Sequence, residues 1–252
     1  MFSSFVERLH QGHQTLKFPE GNAPVPEKFR GLPEISPNQC DKGCTECVAS
    51  CPTDAIGQSD KLLNIDLGRC LFCLECIEAC PEGAIEFTKN HQLSSGNRQD
   101  LVVSSPLAPK VTALNDKMKK LFGRSLKLRQ VSAAGCNGCE VELGALSTIP
   151  WDLSRFGISF VASPRHADGL LITGPVSQNM KLALEKTYAA MPEPKIVIAV
   201  GACAISGGPY INHPEVLNGV TDLLPVDLYI PGCPPHPATI LDGLLRLLDK
   251  KF

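Results

Sequence analysis

The chain lacks any apolar run near the ~18 residues that a membrane-spanning helix needs. Its start, Met1-Phe2-Ser3-Ser4-Phe5, lacks the long apolar core of a secretory signal. It lacks an excess of charge of either sign: 24 Lys/Arg stand against 26 Asp/Glu, a net of −2. That balance excludes the strongly basic surface that nucleic acid or anionic lipid would select. No G-x-x-x-x-G-K run exists, so Ser206-Gly207-Gly208 is not read as a phosphate loop, and neither flavin nor nicotinamide is predicted. These absences predict a cytoplasmic protein.

What the chain does have is twelve cysteines in 252 residues. A reducing compartment disfavours disulfides, so metal binding or catalysis is the default reading. The alternative of a secreted disulfide scaffold fits neither the length nor the missing signal. The length allows one large or two smaller domains. Residues 1–102 hold 9 Lys/Arg against 14 Asp/Glu, a net of −5, and residues 103–252 hold 15 against 12, a net of +3. This asymmetry predicts two modules.

Residues 1–10 place Phe2, Phe5, Val6 and Leu9 at helical spacing, which predicts a short amphipathic helix docked on this chain or on a neighbour. Pro19, Pro24, Pro26, Pro33 and Pro37 predict an extended arm without regular structure over residues 18–39. Then comes Cys40-x3-Cys44-x2-Cys47-x3-Cys51-Pro52, followed by Cys70-x2-Cys73-x2-Cys76-x3-Cys80-Pro81. Thr53-Asp54-Ala55-Ile56 and Glu82-Gly83-Ala84-Ile85 extend the repeat. This is the run of bacterial-type ferredoxins with two 4Fe–4S clusters, in which the cysteine before proline ligates the other cluster. The expected sets are Cys40, Cys44, Cys47 and Cys80 for cluster 1, and Cys70, Cys73, Cys76 and Cys51 for cluster 2. Zinc also uses four cysteines but does not explain the duplicated x3-Cys-Pro endings. The first gap is x3 rather than x2, and Gly43 is read as taking up the extra residue through positive φ.

Residues 89–124 read as a polar linker with a short helix over 113–122. From Ser125, strand patterns at 126–131, 158–162, 168–173, 195–200 and 226–230 alternate with helix patterns at 138–147, 176–190 and 236–250. Near-continuous apolar strands such as Ile196-Val197-Ile198-Ala199-Val200 predict a parallel, flavodoxin-like α/β domain. The organisation expected is therefore an arm (1–35), a two-cluster ferredoxin domain (36–88), a linker (89–124) and this α/β domain (125–252). Its cysteines, Cys136, Cys139, Cys203 and Cys233, follow strand patterns, in Gly- and Pro-bearing loops that meet at one end of a parallel sheet. No cysteine is left over, which predicts a third 4Fe–4S cluster on these four.

Residues 125–252 resemble the small-subunit family shared by nickel–iron hydrogenases and the 20-kDa subunit of respiratory complex I. The resemblance lies in Gly135-Cys136-Asn137-Gly138-Cys139-Glu140-Val141-Glu142, Ser163-Pro164-Arg165-His166-Ala167-Asp168, Gly174-Pro175-Val176, Pro192-Glu193-Pro194-Lys195, Gly201-Ala202-Cys203 and Pro225 through Pro235. The two residues between Cys136 and Cys139 resemble the energy-converting hydrogenases, formate hydrogenlyase among them, rather than complex I with its adjacent cysteines. Residues 1–87, including Phe29-Arg30-Gly31-Leu32-Pro33-Glu34, look like the ferredoxin-type subunit of the same complexes. The resemblance implies a fusion of two electron-transfer subunits, with no complete active site of its own. Its cluster 3 would be the proximal cluster to a nickel–iron site in a separate large subunit. The implied partners are that subunit, an electron-donor module and other subunits including a membrane arm. They imply a place on the cytoplasmic face of the inner membrane. Rival readings keep the wiring with quinone or sulfur as acceptor, or make the chain a free ferredoxin with a zinc-stabilised interaction domain.

Glu142 is read either as a group near cluster 3 or the large subunit, or as a helix-start carboxylate favoured by the dipole. Arg165 and His166 either raise the potential of cluster 3 or pack a loop. His236 is read as structural and Asp227 as part of a hydrogen-bond network.

Overall fold

The computed structural model describes residues 2–20, 23, 25–36, 40, 44–59, 62–104, 109, 111 and 113–250. The extra residue of the first cysteine gap, with Gly43, lies outside the described residues. Helix α1 (Phe2–Gln11) forms where the apolar periodicity predicts it. On its apolar face Phe5 is 72% exposed and Leu9 81%.

The arm is less irregular than its prolines predict. Phe18 is buried, edge-on to Trp151 at 5.9 Å, and Arg155 Nη2 donates to the carbonyls of Leu16 (2.8 Å) and Phe18 (3.0 Å). The arm continues into strand β1 (Pro33–Ile35). Proline is tolerated there because it stands at the first residue of an edge strand. The cysteine repeat then builds two short helices, α2 (Glu46–Ala49) and α3 (Glu75–Glu78), with the antiparallel pair β2 (Ile56–Ser59) and β3 (Leu62–Asp66) between them. Strand β4 (Ile85–Phe87) closes the repeat and pairs with β1, Pro33 opposite Phe87 and Ile35 opposite Ile85.

The polar segment read as a linker is packed. Leu93 and Leu101 are buried, and β5 (Val102–Val103) adds to β3. Its Ser and Asn side chains make the turns: Asn97 N–H donates to Ser95 Oγ and Gln92 N–H to Asn90 Oδ1, both at 3.0 Å. Polar composition therefore marks turn chemistry here rather than a solvated tether. Arg98 forms a bidentate pair with Asp66 at 2.8 and 2.6 Å, which ties the segment to the ferredoxin fold. Helix α4 (Asp116–Phe122) follows, capped by Asn115 Oδ1, which accepts from Met118 N–H.

The C-terminal domain runs β6 (Leu126–Ser132), α5 (Gly138–Ala145), β7 (Ile158–Phe160), β8 (Gly169–Thr173), α6 (Gln178–Ala189), β9 (Ile196–Val200), α7 (Ala202–Ser206), β10 (Leu228–Ile230) and α8 (Pro237–Leu247). The five strands are parallel in the order β10-β9-β8-β6-β7, which is the flavodoxin-like order. β8 and β9 are buried at every residue, as helices on both faces require. Each fully buried Ile or Leu there contributes about 1.5–3 kcal/mol. The edge strand β10 is covered by the packed segment, where Ser95 and Tyr229 exchange backbone hydrogen bonds of 3.0 and 2.8 Å. Ser206 Oγ donates to Gly68 O at 2.9 Å, a further bond between the ferredoxin domain and the sheet domain.

Candidate metal centres

The repeat dictates the first two sites. Cys47 and Cys76 ride on α2 and α3, and Cys51 and Cys80 follow those helices. The amide of Ala55 donates to Cys51 Sγ at 3.2 Å and that of Ala84 to Cys80 Sγ at 3.3 Å, the same bond in each half of the repeat. Burial pushes the Cys47 thiol up, and Cys80, Cys40 and Cys44 push it further. Burial lifts Cys70 to about 12; the Phe72 amide opposes this, while Cys76, Cys51 and Cys73 add to it. Burial, then Cys73 and Cys51, lift Cys76 to about 11. Cys51 thus lies near Cys70 and Cys76, and Cys80 near Cys47.

One apolar cavity is lined by all of Cys51, Cys70, Cys73 and Cys76, with Ile65 and Phe87 among its walls. Phe72 (φ 54°) and Leu74 (φ 85°) flank Cys73 in left-handed conformations. For bulky residues each costs on the order of 1–3 kcal/mol, which surrounding contacts must offset.

The third site is made by the carboxyl ends of the sheet. Cys136 follows β6 and Cys139 lies in the first turn of α5; Cys203 lies in α7 just after β9, and Cys233 follows β10. β6 and β8 meet where the strand order reverses, the usual place for a cofactor in such sheets. Burial pushes Cys139 far up, followed by Cys203, Glu140, Cys233 and Cys136; burial lifts Cys203 to about 12, with Cys233 and Cys136 adding to it. Two glycines leave room for sulfur. A Cβ on Gly201 (φ +88°) would meet Cys139 Sγ at 2.5 Å, and one on Gly208 (φ +55°) would meet Cys203 Sγ at 2.7 Å. Gly208 of Ser206-Gly207-Gly208 thus packs against Cys203 Sγ.

Neighbouring sets also approach one another. Cys47 of the first set raises Cys76 of the second, and Cys73 of the second raises Cys233 of the third. Coulomb interactions fall with distance, so these pairs mark where neighbouring sets approach.

Four thiols that raise one another resist joint ionisation, yet metal ligation requires thiolates. A cationic iron–sulfide core resolves that conflict. Among the described residues no group of three or more Cys, His, Asp or Glu is placed to hold a metal ion. A 4Fe–4S cubane takes four thiolates on four different irons, and sets of four thiols suit it by their chemistry. The donor sets fit 4Fe–4S clusters.

The remaining sequence-predicted residues are placed as follows. Glu142 is half-buried on α5, and burial raises its pKa; it lines a cavity with Cys73 and Cys233. Arg165 and His166 are exposed in a 3₁₀ turn between β7 and β8. His236 caps α8, its Nδ1 accepting from Ala238 N–H at 3.1 Å, and burial, then His91, lowers its pKa. Asp227 accepts from Val197 N–H at 2.8 Å. The residue that sequence reasoning passed over is Glu140. Its Oε1 accepts from Thr173 Oγ1 at 2.6 Å. Burial raises its pKa, but hydrogen bonds from Ser132 and Thr173 outweigh burial and hold the carboxyl below its ordinary range. The signal was its place beside Cys139, which reads equally as a helix-start carboxylate.

Both parts of the chain match known families. Residues 136–247 match the family described as the 20-kDa subunit of NADH ubiquinone oxidoreductase, and residues 36–85 match a 4Fe–4S dicluster domain. A probable membrane-bound hydrogenase subunit of Pyrococcus furiosus is 43% identical over 131 residues, 52% of this chain and 78% of that protein. An uncharacterized protein of Methanocaldococcus jannaschii is 45% identical over 134 residues, 53% of this chain and 90% of that protein. Among solved structures, a chain of the membrane-bound sulfane sulfur reductase, an archaeal respiratory membrane complex, is 36% identical with a TM-score of 0.47, covering 54% of this chain and 75% of that one. The chain belongs to the family of the complex I 20-kDa subunit and the hydrogenase small subunits, with a 4Fe–4S dicluster domain joined ahead of it.

Proposed function

We propose that this chain is a three-cluster electron relay in an energy-converting, nickel–iron hydrogenase complex of the formate-hydrogenlyase type. One observation carries the reading: Cys51 lines one cavity with Cys70, Cys73 and Cys76, and Cys73 lines another with Cys233. Cys40, Cys44, Cys47 and Cys80 hold the first cluster, Cys51, Cys70, Cys73 and Cys76 the second, and Cys136, Cys139, Cys203 and Cys233 the third. Clusters bound there exchange one electron at a time. The protein's own part is to fix the order of the sites, donate amides to sulfur and exclude water around the buried thiols.

The third site faces outward. Cys136 and Cys233 are exposed, and Val141 (63% exposed) and Ile149 (70%) lie on α5 and just beyond it. This end supports docking of a nickel–iron large subunit, with the donor module at the ferredoxin end. All twelve cysteines are assigned, so none of this chain's thiols is left to bind nickel. Among the described residues no helix is long and apolar enough to cross a membrane; attachment through partner subunits of a membrane arm meets that fact.

The test is anaerobic purification with partners, followed by metal and sulfide analysis. The expected result is about 12 iron and 12 sulfide per chain. About eight of each, with one zinc, would remove the third cluster and the relay with it.

A further inference from the structure

The arm segment Phe29-Arg30-Gly31 supplies no ligand, yet it is firmly placed. Gly31 N–H donates to Thr88 O at 2.7 Å and Leu32 N–H to Asn90 O at 2.8 Å. A Cβ on Gly31 would lie 2.2 Å from Asn90 O, so only glycine fits this approach. Lys89 Nζ donates to the carbonyls of Glu27 and Phe29. The Phe29 ring stands edge-on to His236 of the C-terminal domain at 5.3 Å. The arm therefore straps both domains together at a cavity of about 310 Å³ whose walls include Lys28, Arg30, Cys73, Glu142 and Cys233.

Arg30 points its chemistry at the second site. Its Nη1 donates to Phe72 O. Phe72 lies between Cys70 and Cys73 in a left-handed conformation, and its own N–H donates to Cys70 Sγ at 3.3 Å. None of the ion pairs among the described residues involves Arg30. Its charge is therefore not neutralised by a bonded carboxylate there, and Glu142 across the cavity is the acidic group on the same walls.

We propose that Arg30 is a positioning residue that raises the potential of the cluster held by Cys51, Cys70, Cys73 and Cys76. A cluster gains one electron on reduction, so a nearby cation favours the reduced state. The hydrogen bond to Phe72 O holds the Phe72 backbone where its N–H meets Cys70 Sγ, and a bond to sulfur acts in the same direction. The middle site then accepts electrons from the ferredoxin end more readily. The proposal rests on those four cysteines being ligands.

The experiment is an EPR-monitored redox titration of the purified complex carrying Arg30→Gln or Arg30→Lys, with iron counted in each. Arg30→Gln should keep full iron and lower the reduced-to-oxidised ratio of this cluster about tenfold at fixed potential, ~59 mV for one electron. The signals of the other two clusters should not move. An unchanged potential with the cluster present overturns the proposal. If Arg30→Gln loses the cluster, Arg30→Lys decides. Restoration of the cluster and its potential by the retained charge supports the role, and failure of lysine to restore it overturns it. Cys70→Ser in the same complex checks the underlying ligand assignment separately, because there the second cluster itself should vanish.

Discussion

Glu140 shows how one side chain beside a metal ligand acquires a role that its sequence position does not announce. It is one residue from Cys139, and Ser132 and Thr173 at the ends of β6 and β8 hydrogen-bond its carboxylate. A fixed negative charge there disfavours the extra electron of a reduced cluster. Glu140→Gln keeps the shape and removes the charge. It should raise the potential of the third cluster by tens of millivolts, where ~59 mV is tenfold for one electron; a redox titration that finds no upward move refutes the assignment. Asp227 offers a second test at this scale. Burial raises its pKa, although the Val197 amide opposes this. A carboxyl with a raised folded pKa costs stability once it ionises, so the cost appears as pH rises through that folded value. Asp227→Asn retains an acceptor for Val197 N–H and should be neutral or stabilising at neutral pH. Asp227→Ala should cost about 1–3 kcal/mol by leaving that amide unpaired. Anaerobic thermal unfolding across pH measures both.

At the scale of elements, what was legible followed from spacing and period. The x3-Cys-Pro endings predict ligand exchange between halves, because the short helix that carries the third cysteine of each triad leads the chain on to the fourth. Cys51→Ser should therefore damage the cluster of Cys70, Cys73 and Cys76, and Cys80→Ser that of Cys40, Cys44 and Cys47. Mössbauer and EPR spectra that assign either loss to the other half sink the crossover. The parallel sheet was readable because β8 and β9 are apolar at nearly every position. The arm and the 88–104 segment were not readable, because their order comes from partners far along the chain: Gly31 with Thr88, Ser95 with Tyr229, Arg98 with Asp66. Proline and polar content say only that such segments do not form helices or central strands. The Arg98–Asp66 pair carries a prediction of its own, since its side chains are only 22% and 17% exposed. Arg98→Ala leaves a half-buried carboxylate and should cost about 2–3 kcal/mol. Leu67 N–H, bonded to Leu101 O at 2.9 Å, should then exchange at least about 30-fold faster.

For the whole molecule, the question is whether three sites in one chain form one path. On the proposed assignment the first two would have all their ligands within the ferredoxin repeat, and the third all of its own on the sheet domain. Cys73 and Cys233 line one cavity, under the strap of the arm. Loss of the third cluster should therefore leave the first two assembled and reducible, while cutting them off from a large subunit docked over Cys136 and Cys233. Cys139→Ser is the variant of choice, because its thiol is half-buried against Gly201 in the first turn of α5. Ligands are linked to folding, so assembly with partners is verified first. In the assembled variant, iron should fall by about a third, the natural donor should still reduce the two remaining clusters, and hydrogen turnover from that donor should stop. If hydrogen is still made at the wild-type rate without the third cluster, electrons reach the partner by another route, and a relay running from the ferredoxin repeat through the sheet domain is not how this chain works.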